Sequence, residues 1–335
     1  MSDTEWLQGL AGLGLPGAAT QLDLPVSIDE VVVDAARHKL TGVLAAAVAE
    51  GAVALASDDR VVVARAHENA MREVLLLEEV LLEAVAVLKK AGIEHRVLKG
   101  AALAHMVHLD PAERCFGDND VLVASADIDR AVAALTAAGA TRPMPPLSAS
   151  YDRRFAKSVT LRWSGATELD LHRTLAAGPY GHVIDLDDLF GNPAEILLAG
   201  RAVHTLPAEL HLLHGALHVA LGDVDYRLGN VRDLALLSAW PSIDHDRVIE
   251  TAQRWGCAAP LAEGLRTTAG LGHQRTPIEM WAQTHVATDR DRRWLEVYRR
   301  RDGRFRRQAL ASLSVLGWRD RVAFSVALLR PRAAN

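Results

Sequence analysis

From residue 28 to 91 apolar residues recur at three- and four-residue spacing, most clearly in "ENAMREVLLLEEVLLEAVAVLKKAG". That period predicts helices, and Gly92 is placed to stop the last of them. The period then shortens. "HRVLKG" predicts a strand, followed by a helix from about Ala101 to His108 and a turn at "LDPAER". "DNDVLV" predicts a second strand, "DIDRAVAALTAAGA" a helix ending near Gly139, and "RPMPPLSAS" a proline-rich loop. "SVTLRWSG" and "TELDLHRTL" predict two strands around a turn at Ser164 and Gly165, and "AVHTLP" a further short strand. Beyond it the pattern is helical, over roughly 207–221, 227–239, 245–256, 260–269 and 287–329. The layout implies an N-terminal helical region (1–91), a small mixed sheet with its helices (92–206) and a C-terminal helical region (207–335). The fold class is α/β in the α+β sense, and no internal repeat or low-complexity tract is visible.

Strand periodicity also sorts the charged residues. Residues two apart share a face, so Asp118 and Asp120 project with Leu122, while Asn119, Val121 and Val123 face the other way. The same spacing groups Glu168, Asp170 and His172 on one face, against Leu169 and Leu171 on the other. Neighbouring carboxylates repel unless a proton or cation lies between them. Hard divalent cations such as Mg²⁺ take carboxylate ligands together with substrate phosphates, and two such ions can clamp an in-line phosphoryl displacement. A lone Asp-x-Asp reads equally well as the solvated rim of a strand. Lys99 and Gly100 add to the metal reading, because they stand at a strand-to-helix junction. Amides at a helix N-terminus bind anions, a glycine lets phosphate approach the backbone, and a lysine adds a point charge.

Composition narrows the classes further. Of 335 residues half are hydrophobic and 24% charged, as in an ordinary soluble protein. "MSDTEW" is acidic, so no signal peptide is visible, and "LHLLHGALHVALG" is too short to span a membrane. The two cysteines, Cys115 and Cys257, exclude a disulfide framework and a four-cysteine zinc site. A cytoplasmic protein is expected. From Asp289 to Asn335 there are 13 arginines against five acids, a balance of +8 in a chain of net charge −5. That end can attract phosphates, nucleic acid or a membrane surface. It also reads as a solvated helix whose buried stripe is Trp294, Leu295 and Tyr298. His211, His214 and His218 share a helix face; one helix rarely wraps an ion with three side chains, so a polar face turned toward a cleft is expected rather than zinc. Cys115 reads as a packed cysteine and "DARHKL" as part of a packing layer. Neither a Walker loop nor a dinucleotide fingerprint is present.

The order of strand, Lys-Gly turn, helix, Asp-x-Asp strand and later acidic strand resembles the polymerase-β-like nucleotidyltransferases. More narrowly it resembles the family of uncharacterised nucleotidyltransferases, over roughly residues 30–300. Leu98, Lys99 and Gly100, then Arg114, then Asp118, Asp120, Leu122 and Val123, then Asp170 and His172 match that family's motifs. So do His214, Gly215, His218, Arg227, Leu228 and Asp233 further on. Ala101, Asn119 and Leu217 depart from its pattern. The resemblance implies a metal-dependent enzyme that moves a nucleoside monophosphate, AMP from ATP being favoured, to a hydroxyl. Asp118, Asp120 and Asp170 would hold two Mg²⁺ ions, or Mn²⁺, and carry the catalysis. Lys99, Gly100, Ala101 and Arg114 would bind the nucleotide. Glu168, His172, His214, His218, Arg227 and Asp233 are the acceptor-side candidates. The acceptor expected is a small molecule or a peptide-derived natural product, because an acidic body suits cationic ligands better than RNA. The alternative is a non-catalytic nucleotide- or ligand-binding module that keeps the fold.

Overall fold

The computed structural model describes the whole chain apart from residues 1–2, 25–26, 149, 164–166, 223–226, 300–301 and 330–335. The chain opens with α1 (Asp3–Gly12), α2 (Ile28–Arg37), α3 (Thr41–Ala49) and the 34-residue α4 (Ser57–Lys90). The mixed region follows as β1 (His95–Leu98), α5 (Lys99–Met106), β2 (Asn119–Val123), α6 (Ile128–Ala137), α7 (Tyr151–Arg154), β3 (Ser158–Trp163), β4 (Thr167–His172), α8 (Gly178–Val183), β5 (Ala194–Leu198) and β6 (Arg201–Thr205). Then come α9 (Ala208–Leu217), α10 (Leu228–Ser238), α11 (His245–Arg254), α12 (Ala258–Arg266), α13 (Pro277–Thr284), α14 (Asp289–Arg299), α15 (Arg304–Leu313) and α16 (Trp318–Leu329).

One six-stranded mixed sheet runs in the order β3-β4-β2-β1-β6-β5. β2 lies parallel to β4 and antiparallel to β1, and β1 lies parallel to β6. The alternation in the sequence sets its two faces. Val97, Val121, Val123, Leu169 and Leu171 pack under α4 and α6, with Leu77, Leu81, Ala84, Val85 and Leu88 of the long helix. α4 itself begins with Asp58 and Asp59 and ends with Lys89 and Lys90, charges that suit its dipole at both ends. Leu98 and Leu122 point to the opposite face. There they join a core shared by N-terminal residues such as Trp6 and Leu44 and by the C-terminal helices, from Leu212 to Tyr298. The acids project on that second face, toward the helical body.

Several elements escape the periodicity. β5 was not expected because "AEILL" follows a Gly-Asn-Pro break and alternates only over one short edge strand; Ala199 and Gly200, both at positive φ, turn it back into β6. α1, α7, α8 and α13 also lie outside the predicted helices. The single helix expected over 287–329 is three, α14 to α16, with left-handed Gly303 starting α15 and Gly317 starting α16. The buried stripe Trp294, Leu295 and Tyr298 sits where its spacing places it. The turn expected at Ser164 and Gly165 lies outside the described residues. Among those described, no helix is long and apolar enough to cross a membrane.

Candidate metal and nucleotide site

Parallel pairing of β2 with β4 sets Asp120 directly beside Asp170, with Leu122 beside His172. One oxygen or nitrogen from each of Asp120, Asp170 and His172 lies within 4.8 Å of the others, a spacing at which they could share a metal ion. His172 Nε2 donates to Asp120 Oδ1 at 2.5 Å, and Lys99 Nζ stands 3.3 Å from Oδ1 and 3.2 Å from Oδ2. Burial of Asp120 opposes its ionisation, but Lys99 and His172 outweigh it and hold the carboxyl well below the usual range. Asp170 accepts from the Thr160 hydroxyl at 2.5 Å across the β3–β4 ladder.

Asp118 has a different setting. It immediately precedes β2 rather than opening it and stands outside the three-residue cluster. The residue is exposed overall. Even so, loss of water around its carboxyl, then the charge of Asp120, push its pKa up. Two unlike aspartates thus come from one Asp-x-Asp. Asn119 between them is buried and donates Nδ2 to the Leu77 carbonyl of α4 at 2.8 Å. Asn119, one of the departures from the family pattern, is therefore a tether between the acid-bearing strand and the helix behind it.

Cations ring the acids. Lys99 has φ +46, a left-handed conformation that non-glycine residues hold only where the surroundings impose it. It begins α5, whose first-turn amides lack partners within the helix. Gly100 is needed here for a different reason from the one expected: a Cβ on it would meet the Phe116 ring at 2.8 Å. Its smallness serves close packing of α5 on Phe116. Ala101 is likewise packed among the residues under α4, so only its backbone can serve a ligand. Lys157, just before β3, feels the charges of Lys99, Asp120, Asp170 and Asp118; burial, then Lys99, lower it to about 8. Lys39 reaches the other flank, its Nζ 3.0 Å from where a Cβ on Gly117 would stand, and burial, then Arg227, lower its pKa. Sequence reasoning missed both lysines. Three of the chain's five lysines surround the carboxylates, and that scarcity was the available signal.

Lys39 is delivered by the α2–α3 turn, which docks on the start of α10. The His38 carbonyl accepts from Gly229 N at 2.9 Å, and His38 Nδ1 from Leu228 N at 3.3 Å. The segment taken for a packing layer thus also lines the site. Arg227, the residue before α10, is exposed and close enough to Lys39 to lower its pKa.

Other expected residues lie elsewhere. Arg114 is buried and spends its guanidinium on Asp233 (Nε to Oδ1 3.0 Å and Oδ2 2.9 Å), on Asn230 Oδ1 and on the Cys115 carbonyl. It ties the loop before β2 to α10 instead of reaching for phosphate, and Asp233 is spent with it, accepting also from His108 Nε2 at 2.9 Å. Glu168 is exposed and pairs only loosely with Arg162, at 3.5 Å. The three histidines of the helical stretch separate by role. His211 donates to Thr205 Oγ1, whose hydroxyl is given to the Val97 carbonyl, and burial lowers His211 to about 4. His214 lies buried with its ring 6.3 Å from that of His172 and neither nitrogen partnered. His218 begins a turn of π-helix (His218–Gly222) and lines a cavity with Lys157.

A solved structure, the antigenic nucleotidyltransferase-like protein from Paracoccidioides brasiliensis, is similar at 16% identity and a TM-score of 0.35, over 60% of this chain and 94% of that one. No curated protein matches. A family model described as uncharacterised nucleotidyltransferase matches residues 25–272, from before α2 to just after α12, and so takes in the Lys-Gly turn, both acid-bearing strands and the histidine helix. By that match, over well more than half its length, the chain belongs to the uncharacterised nucleotidyltransferase family.

Proposed function

We propose that the chain transfers a nucleoside monophosphate, AMP from ATP being favoured, to a hydroxyl of a small acceptor, with Mg²⁺ or Mn²⁺ at the carboxylates. The observation that carries this reading is the side-by-side placement of Asp120 and Asp170, with a lysine on each side. The residues fit a hard divalent cation. Carboxylate oxygens from adjacent strands supply the donors, and His214, its ring 6.3 Å from that of His172, leaves two nitrogens unpartnered. Asp118 remains close enough to repel a second negative charge. His172 is better suited to orienting Asp120 than to ligating, since its Nε2 proton is already given to that carboxylate.

When bound, the cations lower the pKa of an acceptor hydroxyl and neutralise phosphate charge. The chain's own residues do the positioning. Asp120 and Asp118 hold the nucleotide side, and Asp170 holds the acceptor side. Lys99 and the first amides of α5 face the β- and γ-phosphates. The acceptor oxygen bonds to the α-phosphorus as the bond from that phosphorus to the bridging oxygen breaks. Pyrophosphate leaves, and the hydroxyl proton departs by way of Asp170. Lys157 adds charge stabilisation beside the α-phosphate in a site already fixed before reaction.

The test is calorimetry of ATP with Mg²⁺ on the wild type and Asp120→Asn. Metal-dependent binding is expected in the first and its loss in the second, with unchanged circular dichroism. Equal binding in both would remove Asp120 from the site. Tight binding without pyrophosphate release across a panel of hydroxyl compounds would favour the binding-module reading.

A further inference from the structure

Two adjoining cavities lie on one side of the carboxylates. The first, of about 410 Å³, is lined by Lys157, His218, Leu221, Arg304, Phe305 and Gln308 among others. The second, of about 230 Å³, shares Lys157, Ala177, Phe305 and Gln308 with it and continues between Tyr151, Phe155, His182 and Phe324. Its aromatic rings form one cluster: Phe155 and Phe324 lie 5.1 Å apart, Tyr151 stacks on Phe324 at 6.1 Å, and His182 closes the group at 6.2 Å. Burial, then Arg173, lower His182 to about 4, so that wall is uncharged near neutrality.

Sheet order says which substrate this space meets. Lys99 follows β1, Asp120 stands on β2, Asp170 on β4, and Lys157 precedes β3, so they belong to one line of four adjacent strands. Phosphates held at Lys99 and α5 occupy one end of that line. A hydroxyl presented at Asp170 arrives from the β3 side, where Lys157 lines both cavities. Their outer wall is α15 and α16, beyond the residue at which the family match stops. This wall is anchored. Tyr298 donates to the Ala177 carbonyl, Arg304 to the carbonyls of Leu221 and Gly222, and Arg154 pairs with Asp320.

Building on the nucleotidyltransfer reading, we infer that these cavities hold the acceptor, and that it is a neutral or singly anionic alcohol with an aromatic body. Volume and lining suit a small molecule, apolar over most of its surface with a few polar groups at one end. The rings supply stacking and edge contacts. Lys157 and Arg304 in the lining disfavour a cationic acceptor, so the acidic charge of the rest of the chain does not govern this end.

2-Naphthol, followed by its fluorescence on the full-length protein, is the probe. Phe305 is 58% exposed, so Phe305→Ala leaves the core intact, and Gln308→Trp fills the shared neck of the cavities. The expected result is saturable one-site binding, weakened roughly tenfold or more by each substitution, with the Mg²⁺-ATP affinity of both variants unchanged. Absence of saturable binding, or equal affinity in wild type and both variants, overturns the proposal. So does displacement of 2-naphthol by adenosine, which would assign the cavity to the donor base, or by a short RNA, which would assign it to nucleic acid. Failure of the wild type to bind Mg²⁺-ATP sinks the nucleotidyltransfer reading and not the aromatic site, which the probe judges alone.

Discussion

Arg114 and Asp233 form a buried pair closed on itself: Nε and Nη2 reach the carboxylate at 2.9–3.0 Å, and Asn230, His108 and the Cys115 carbonyl take up further polar atoms. Lys99 and Asp120 form a second pair built differently. The ammonium lies 3.2–3.3 Å from both oxygens, is 16% exposed, and belongs to a residue at φ +46, among carboxylates of Asp118, Asp120 and Asp170 that repel one another. Both cations were expected at the nucleotide. The difference teaches how a fixed ion pair is told from a poised one. A planar guanidinium saturated by a bidentate carboxylate holds structure, whereas a point charge loosely shared among carboxylates is exchangeable for a metal ion and a phosphate.

The largest expected effect breaks the first pair. Arg114→Met leaves Asp233 buried without its main cation, which costs about 3–5 kcal/mol, read as a lower urea midpoint. Burial opposes the Asp233 charge, but Arg114 and His108 prevail and hold its pKa below the usual value. A depressed carboxylate stabilises the fold above its unfolded pKa, and that stability is lost as pH falls through the folded value. The wild type should therefore lose stability below about pH 3.9, and the variant should lack this part of the acid transition. An unchanged urea midpoint would return Arg114 to the list of ligand-binding candidates.

Next in size, and on the poised side, is Asp170→Asn. Shape and the contact to Thr160 are retained while the charge is removed. Affinity for Mg²⁺-ATP should stay near normal and turnover should fall roughly 100-fold or more, the scale of a lost proton acceptor. A smaller effect is expected from Lys99→Met, which sharpens the contrast with Arg114. Fold stability should change little, while Mg²⁺-ATP affinity weakens roughly tenfold at low salt and by less at high salt, as for a screened charge. A stability loss as large as that of Arg114→Met would show the two pairs to be alike.

Much of this was legible in the sequence, and the limits have physical causes. Period-two alternation grouped Asp118 with Asp120, and Glu168 with Asp170 and His172, opposite their apolar neighbours; the parallel pairing of β2 with β4 then brings Asp120, Asp170 and His172 together. Motif spacing could not tell Arg114 from Lys99, since saturation of a side chain depends on Asp233 and Asn230, over a hundred residues away. Apart from the scarcity of lysine, nothing in the pattern marked Lys39 and Lys157, for a similar reason. Each lies in a turn or strand entry with no periodic signature, brought to the site by docking of the α2–α3 turn on α10 and by the β3–β4 ladder.

Glu168→Gln gives the smallest effect, and it sets a zero for the comparison. Glu168 and Asp170 share a face of β4, so strand spacing treats them as equals. The structure separates them: Asp170 stands between Asp120 and Thr160, while Glu168 has half of its side chain in water and meets only Arg162 at 3.5 Å. An exposed pair of that kind contributes roughly 0–1 kcal/mol. Turnover and Mg²⁺-ATP affinity of the variant should therefore stay within about twofold of wild type, and stability within about 0.5 kcal/mol. Steady-state kinetics on the paired variants decides the matter. If Glu168→Gln is inactive while Asp170→Asn turns over, the metal-side acid is Glu168 and the cluster with His172 is structural, as Arg114 and Asp233 are.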